Sequence, residues 1–231
     1  MSEGRKPKQK RSRERVEKIL LAAADELARA STAEDMTTTN VARRSGIPVS
    51  TLYRYFSDRS AIIAALIDKE TAEIDAVAAE RLAKLEEVSV GSALETIMYA
   101  HLEHFQDKRR SVLLWFGSRD AKAVLERVNR RYDYLGKWIY DGGLKAGYVE
   151  GANTPPWGGD AIIWTCDRCF EFIFREERSK NEQMAIMELF MNMVRSQILA
   201  FAPPEGAPVL NHEEFLTAFG PYSPPSAEDF A

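Results

Sequence analysis

Two short polar clusters hold the side chains best suited to chemistry. The first is Thr37-Thr38-Thr39; the second is Val49-Ser50-Thr51 with Tyr53, Arg54 and Tyr55. Gly46, Ile47 and Pro48 lie between them. Hydroxyls at a helix start accept from unpaired backbone N–H groups or bind phosphate oxygens beside them. Hydroxyls and a cation on a short exposed helix suit phosphates and base edges, and a valine suits a thymine methyl. The elements that position these groups are two helices joined by a tight turn. Gly46 supplies the turn, since a left-handed backbone costs glycine nothing. Pro48 has a φ preset for a first helical position. Val41, Ala42 and Ser45 are small inward positions that let two helices cross closely, Ile47 plugs the turn, and Leu52 and Phe56 point inward. Residues 36–55 therefore read as a helix-turn-helix, whose second helix enters the major groove of DNA.

The flanking sequence supports this unit. From Glu14 to Ala30, Val16, Ile19, Leu20, Ala23 and Leu27 recur at spacings of three and four, one face of an amphipathic helix. Residues 31–36 lack that periodicity and read as a loop. Ser57 or Asp58 caps a fourth helix that continues through Ile62, Ile63, Leu66, Ile67, Ile74 and Val77 to about Leu85. Before it all, residues 1–13 carry six Lys and Arg with Gly4 and Pro7, too polar to bury a core, and read as a flexible basic arm.

The segment Thr37-Thr38, Val41-Ala42, Ser45-Gly46-Ile47, Ser50-Thr51-Leu52-Tyr53-Arg54-Tyr55-Phe56 and Asp58-Arg59 resembles the N-terminal domain of the TetR family of transcriptional regulators. The resemblance spans residues 14–66 and is densest over 36–59. It implies that Thr37 and Thr38 form a phosphate-binding helix start. Thr39, Val49, Ser50 and Thr51 would approach base edges. Tyr53 and Tyr55 would lie against the DNA backbone, with Arg59 in place of the usual lysine. Pro48 stands where the family commonly has serine, so one hydroxyl is lost.

The rest of the chain reads as helical. Helices are expected over 93–106, 119–146, about 157–178 and 182–201, with a short apolar piece over 111–116, and no strand alternation of useful length occurs. Aromatic and polar groups among them suit an apolar pocket with a few anchors for a small effector, with Tyr99, His101, Phe105, Trp115, Tyr134, Trp138, Trp164 and Arg168 as candidates. The last two helices are apolar on more than one face and need a second partner. By resemblance they form a homodimer interface through Phe170, Phe174, Met187, Phe190, Met191 and Val194. A two-fold protein would present two recognition helices to one palindromic operator in double-stranded DNA.

Competing chemistry is thin. Cys166 and Cys169 share a helix face, but a zinc site needs more ligands and the chain has only three histidines. His101 and His104 lack a carboxylate pair arranged for catalysis. No metal, no cofactor and no enzymatic activity are expected. An α-helical enzyme, an interaction module and a redox-responsive regulator are the rivals, and activation is an alternative to repression.

Charge supports one polyanion-facing end. Residues 1–59 hold 13 basic against 8 acidic groups, and the remainder 18 against 27. The chain-wide pI of about 5.6 is thus no argument against DNA binding. No apolar h-region or long charge-free span suggests secretion or a membrane, so a cytoplasmic protein is expected. The expected architecture is all-α. A helix-turn-helix head over 14–66 carries a ligand-binding and dimerisation body over 67–202, followed by a Pro-rich tail over 203–231. In that tail Phe215, Leu216 and Phe219 suit one helical turn that docks on a partner groove, the alternative being a largely extended tail with a weakly attached helix.

Overall fold

The computed structural model describes residues 5–117, 122–149, 155–203, 206 and 208–224, the side chains of 5–9, 107, 109 and 122–125 excepted. The expected start of the long helix at Arg119 and the loop at Asn153-Thr154 lie outside the described residues. Helices dominate: α1 (Arg5–Arg29), α2 (Thr38–Ser45), α3 (Val49–Leu52), α4 (Arg59–Leu82), α5 (Val90–Asp107), α6 (Arg109–Phe116), α7 (Lys122–Lys145), α8 (Gly158–Phe174), α9 (Lys180–Phe201) and α10 (His212–Phe219). Two short strands, β1 (Glu87–Val88) and β2 (Leu210–Asn211), pair antiparallel. The chain divides into two compact units, 1–70 with 108–127 and 71–107 with 128–231.

In the first unit α1 packs on α2 and α6. Ile19, Ala23 and Leu27 are buried from α1, Val41 and Ala42 from α2, Leu52 from α3, and Ile62 and Ile63 from α4. Two expectations change. α1 begins at Arg5, so residues 5–13 are helical instead of a flexible arm. Lys, Arg, Gln and Glu are good helix formers, and a helix nucleated on a buried face extends at one hydrogen bond per residue. Pro7 sits in the first turn, where its missing N–H has no intrahelical partner to lose. α6 also joins this unit, burying Leu114 and Trp115, although the head was expected to end at 66.

In the second unit α9 packs on α8 and α5. Cys166, Cys169, Phe170 and Ile173 from α8 meet the buried stripe Met187, Met191, Val194 and Ile198 from α9. Ser179 starts α9 with a capping box, accepting from Glu182 N while the Glu182 carboxylate accepts from Ser179 N. α9 is long and apolar enough by composition to cross a membrane, which the sequence reading did not register. Only 22% of that apolar stretch is buried inside this unit, and Met184, Leu189, Met193 and Leu199 are exposed. α7 and α8 touch backbone to backbone: a Cβ on Gly159 would fall 2.0 Å from the Gly136 carbonyl oxygen.

The C-terminal segment is not a loose tail. β2 extends β1, and Asn211 caps α10 reciprocally with Glu214. Phe215 and Phe219 stack at 4.6 Å and both face Trp138 of α7, at 5.9 and 5.3 Å. Phe219 lies over Gly142, where a Cβ would be 2.0 Å from its ring. Elsewhere in a helix, Gly→Ala gains about 1 kcal/mol. Here the methyl collides with a buried ring, so the sign reverses. Gly142→Ala is expected to lower the thermal unfolding midpoint and to speed hydrogen exchange across residues 212–219. Unchanged exchange there would refute this docking.

Beside this region, His101 is buried and its Nδ1 donates to the Ile97 carbonyl at 2.8 Å. Burial, reinforced by the Arg131 charge, lowers its pKa to about 4. The folded ring stays neutral while the unfolded one binds a proton below about 6.5. Its contribution is therefore present above pH 6.5 and is lost as pH falls towards 4, by about 3 kcal/mol. Denaturant unfolding at pH 7 and pH 4 should show His101→Phe losing less stability than the wild-type chain; equal losses would refute the buried neutral ring.

Candidate functional site

The two polar clusters meet at the turn as their residue types require. Thr37 is the N-cap of α2 and its hydroxyl accepts from Asn40 N at 3.2 Å. Gly46 ends α2 in the left-handed region, with φ 68°, and Ile47 N donates to the Ala42 carbonyl at 3.2 Å. Pro48 precedes α3, and its carbonyl accepts from Thr51 N and Leu52 N at 2.8 and 2.9 Å. Asp58 caps α4, accepting from Ala61 N at 2.8 Å. With Leu52 and Phe56 buried, α3 has no freedom to rotate, and its opposite face stays outward.

That face carries most of the expected contacts. Thr39, Val49, Ser50 and Tyr53 are exposed, and Thr38 and Thr51 are partly so. The Thr38 and Tyr53 hydroxyls lie 3.1 Å apart, joining the start of α2 to the end of α3. Whichever hydroxyl accepts in this pair keeps its own proton to donate to a phosphate oxygen. Two residues are engaged within the protein instead. Arg59 donates from Nη1 to the Ala33 carbonyl at 2.8 Å and so braces the loop before α2. Tyr55 is drawn towards α1: a hydrogen bond from Arg15, then one from Ser12, holds its hydroxyl below the usual phenol range. Sequence periodicity gave no sign of either contact, because the partners lie 26 and 40 residues away. Arg54, the cation of the second polar cluster, is exposed next to Tyr53. Arg44 pairs with Glu26 of α1.

The expected effector residues do not converge on one cavity. Trp115 belongs to the first unit. Trp164 is 49% exposed and Arg168 is exposed beside it, 5.9 Å over its ring. His101 and Phe105 pack with Phe170, the rings 5.9 and 5.6 Å from it. Tyr99 is half-buried. Tyr134 and Trp138 are covered by the C-terminal segment. A void of about 20 Å³ lies among Val90, Ile139, Tyr148, Ile162 and Ile198, too small for an effector. A second, open hollow of about 690 Å³ borders Lys145, Asn211, Glu213 and Thr217.

The expected interface residues face inward. Phe170, Met187, Met191 and Val194 are buried within the second unit, and Phe174 and Phe190 are half-buried. The outward apolar groups are Trp164 and Phe172 on α8 and Leu189 and Met193 on α9. Both faces of each helix are apolar, so periodicity did not distinguish them. The two thiols are free and buried, and burial pushes Cys166 up to about 12 and Cys169 higher still. Thiols so placed are unreactive, which removes the support for redox sensing. No cluster of three or more metal-ligating side chains occurs among the described residues.

Comparison with known proteins agrees with this geometry. Residues 20–66 match the family model of the bacterial regulatory proteins of the tetR family. No curated protein sequence matches the chain. Among solved structures, the chain is similar to the fatty acid degradation regulator FadR from Bacillus halodurans, at 14% identity and a TM-score of 0.59, covering 79% of this chain and 97% of that one. A TetR-family transcriptional regulator from Streptomyces coelicolor follows at 20% identity and 0.55, covering 80% and 97%. FadR from Bacillus subtilis in complex with stearoyl-CoA follows at 14% and 0.55, covering 80% and 96%. The chain thus has the fold of these regulators, and within it residues 20–66, the head, are similar to the N-terminal domain of the tetR family.

Proposed function

We propose that the chain is a homodimeric DNA-binding transcriptional regulator, a repressor that releases a palindromic operator when a small apolar or amphipathic effector binds its body. The observation that carries the reading is the outward face of α2 and α3, with Thr38 and Tyr53 linked by their hydroxyls and Val49, Ser50 and Thr39 alongside. Neutral donors held in register at a helix start fit phosphate oxygens, and the outward face of α3 fits a major groove. The effector part of the reading draws on the similar fold that binds stearoyl-CoA, and on the apolar composition of the body. A ligand acts by favouring one of two arrangements of the paired heads, by as much as it binds that arrangement better. Nothing in the site calls for catalysis, and the reading places the protein in the cytoplasm.

Competition with a random duplex tests DNA recognition. The protein should prefer DNA from upstream of its own coding sequence; no preference would sink the regulator reading. Tyr53→Phe and Thr38→Ala should each weaken specific and random duplexes alike, by roughly 3- to 10-fold, as expected for the loss of one phosphate hydrogen bond. A loss confined to one base position would instead mark these groups as base readers.

The dimer reading rests on the outward stripe of Trp164, Phe172, Leu189 and Met193, of which Leu189 is 61% exposed. Monomers seldom leave such a contiguous apolar face uncovered. Light scattering should give a dimer for the wild-type chain and a folded monomer for the double variant Leu189→Arg, Met193→Arg. A dimer that survives both charges would move the interface elsewhere.

A further inference from the structure

The second unit contains a built seat that is filled by the chain's own Tyr222. Arg131 of α7 is buried and grips Asp75 of α4 with two hydrogen bonds, 2.7 and 2.6 Å. The Tyr222 hydroxyl completes the pair: it donates to Asp75 Oδ1 at 2.9 Å and accepts from Arg131 Nη2 at 3.1 Å. Its ring meets Trp138 edge-on at 5.7 Å, and the next residue's N–H donates to the Tyr134 hydroxyl at 3.3 Å. The buried Trp138 indole N–H meets no acceptor among the described residues. The seat therefore holds one aromatic ring and one hydroxyl, by contacts that a free molecule can reproduce.

The segment that fills it is joined to α10 through Gly220. Gly220 has φ 72° and ψ 179°, a conformation open in practice to glycine alone, and prolines 221 and 224 bracket the tyrosine. α10 itself is held by Phe215, Phe219 and β2, none of which depends on Tyr222. Tyr222 can leave by rotation at Gly220 while α10 stays docked.

We propose that the Arg131–Asp75–Trp138 seat is a ligand site for neutral phenols, with Tyr222 as its built-in, displaceable occupant. The polarity selects the class. The free position of the ion pair needs one group that both donates and accepts, which a hydroxyl does. A carboxylate would face Asp75, an ammonium would face Arg131, and a bare ring would leave the pair's third hydrogen-bonding position unfilled. Burial holds the Tyr222 hydroxyl above the usual phenol range, and a bound phenol is kept protonated in the same way. That this seat is the effector site rests on the regulator reading; that it binds phenols does not.

The test is calorimetric titration of the full chain with p-cresol, the free form of the tyrosine side chain, and with toluene and 4-methylbenzoate. Tyr222→Ala should bind p-cresol at least 10-fold more tightly than the wild-type chain does. On that variant toluene and 4-methylbenzoate should each bind at least 10-fold more weakly than p-cresol. Equal p-cresol affinity in variant and wild type, or equal affinity for p-cresol and toluene, overturns the proposal. Should Tyr222→Ala not fold, Tyr222→Phe keeps the ring and removes only the competing hydroxyl. It should still gain severalfold in p-cresol affinity, and no gain overturns the proposal. The titration reads the seat without DNA, so a failure here is distinct from a failure of duplex binding.

Discussion

The body is organised around one buried ion pair, Arg131 with Asp75. A guanidinium taken out of water is costly unless its donors are matched, and here two go to one carboxylate and a third position meets a phenol oxygen. The pair fastens α4 to α7 within the second unit, and through Tyr222 it reaches the C-terminal segment. Its neighbour His101 stays neutral chiefly because it is buried, with the Arg131 charge adding to that effect and the Asp75 charge opposing it. A hydrophobic replacement would fill the same space, but it would not specify which single hydroxyl is accepted. Asp75 lies on α4, the helix that begins at Arg59.

The head was legible because its signals are local. The Thr37 cap, the left-handed Gly46 and the Pro48 helix start fall within twelve residues, and each acts on backbone a few positions away. Their mutual consistency is what fixes the turn. What the sequence did not reveal in the head depends on distant partners. Arg59 looks like a free cation until the Ala33 carbonyl is known to lie beside it. Tyr55 looks like an outward aromatic until α1 is seen to continue back to Arg5 and bring Ser12 and Arg15 to it.

In the body the limit is different. Periodicity finds a helix face, but α8 and α9 have two apolar faces each, and nothing local says which one turns inward. Met187, Met191 and Val194 were as plausible outside as Leu189 and Met193; only the packing of α9 on α5 and α8 separates them. α10 was hidden for a related reason. A motif such as HEEFLTAF is too short to be stable alone, and its partners Trp138 and Gly142 lie about 75 residues earlier. The pair Gly142-Gly143 inside a long helix was the available trace: an interior glycine costs stability unless something approaches closely, and Phe219 does.

Charge explains why the two halves need not compete for DNA. The first 59 positions hold 13 basic against 8 acidic groups and the remainder 18 against 27, so under the proposed reading a polyanion is favoured at the head over the body. Yet the head's inner contact face is chiefly hydroxyl, and two of its arginines, Arg44 and Arg59, are engaged inside the protein. Under the proposed reading, counterion release would fall to Arg54 and to the cations of α1, including Lys10, Arg11 and Arg13, which helix formation holds on one element. Affinity that tracks salt would come from that helix, while orientation would come from Thr38 and Tyr53. A protein divided in this way can change its hold on DNA through small shifts of the hydroxyl face, because the long-range attraction that gathers it to the duplex remains unaltered.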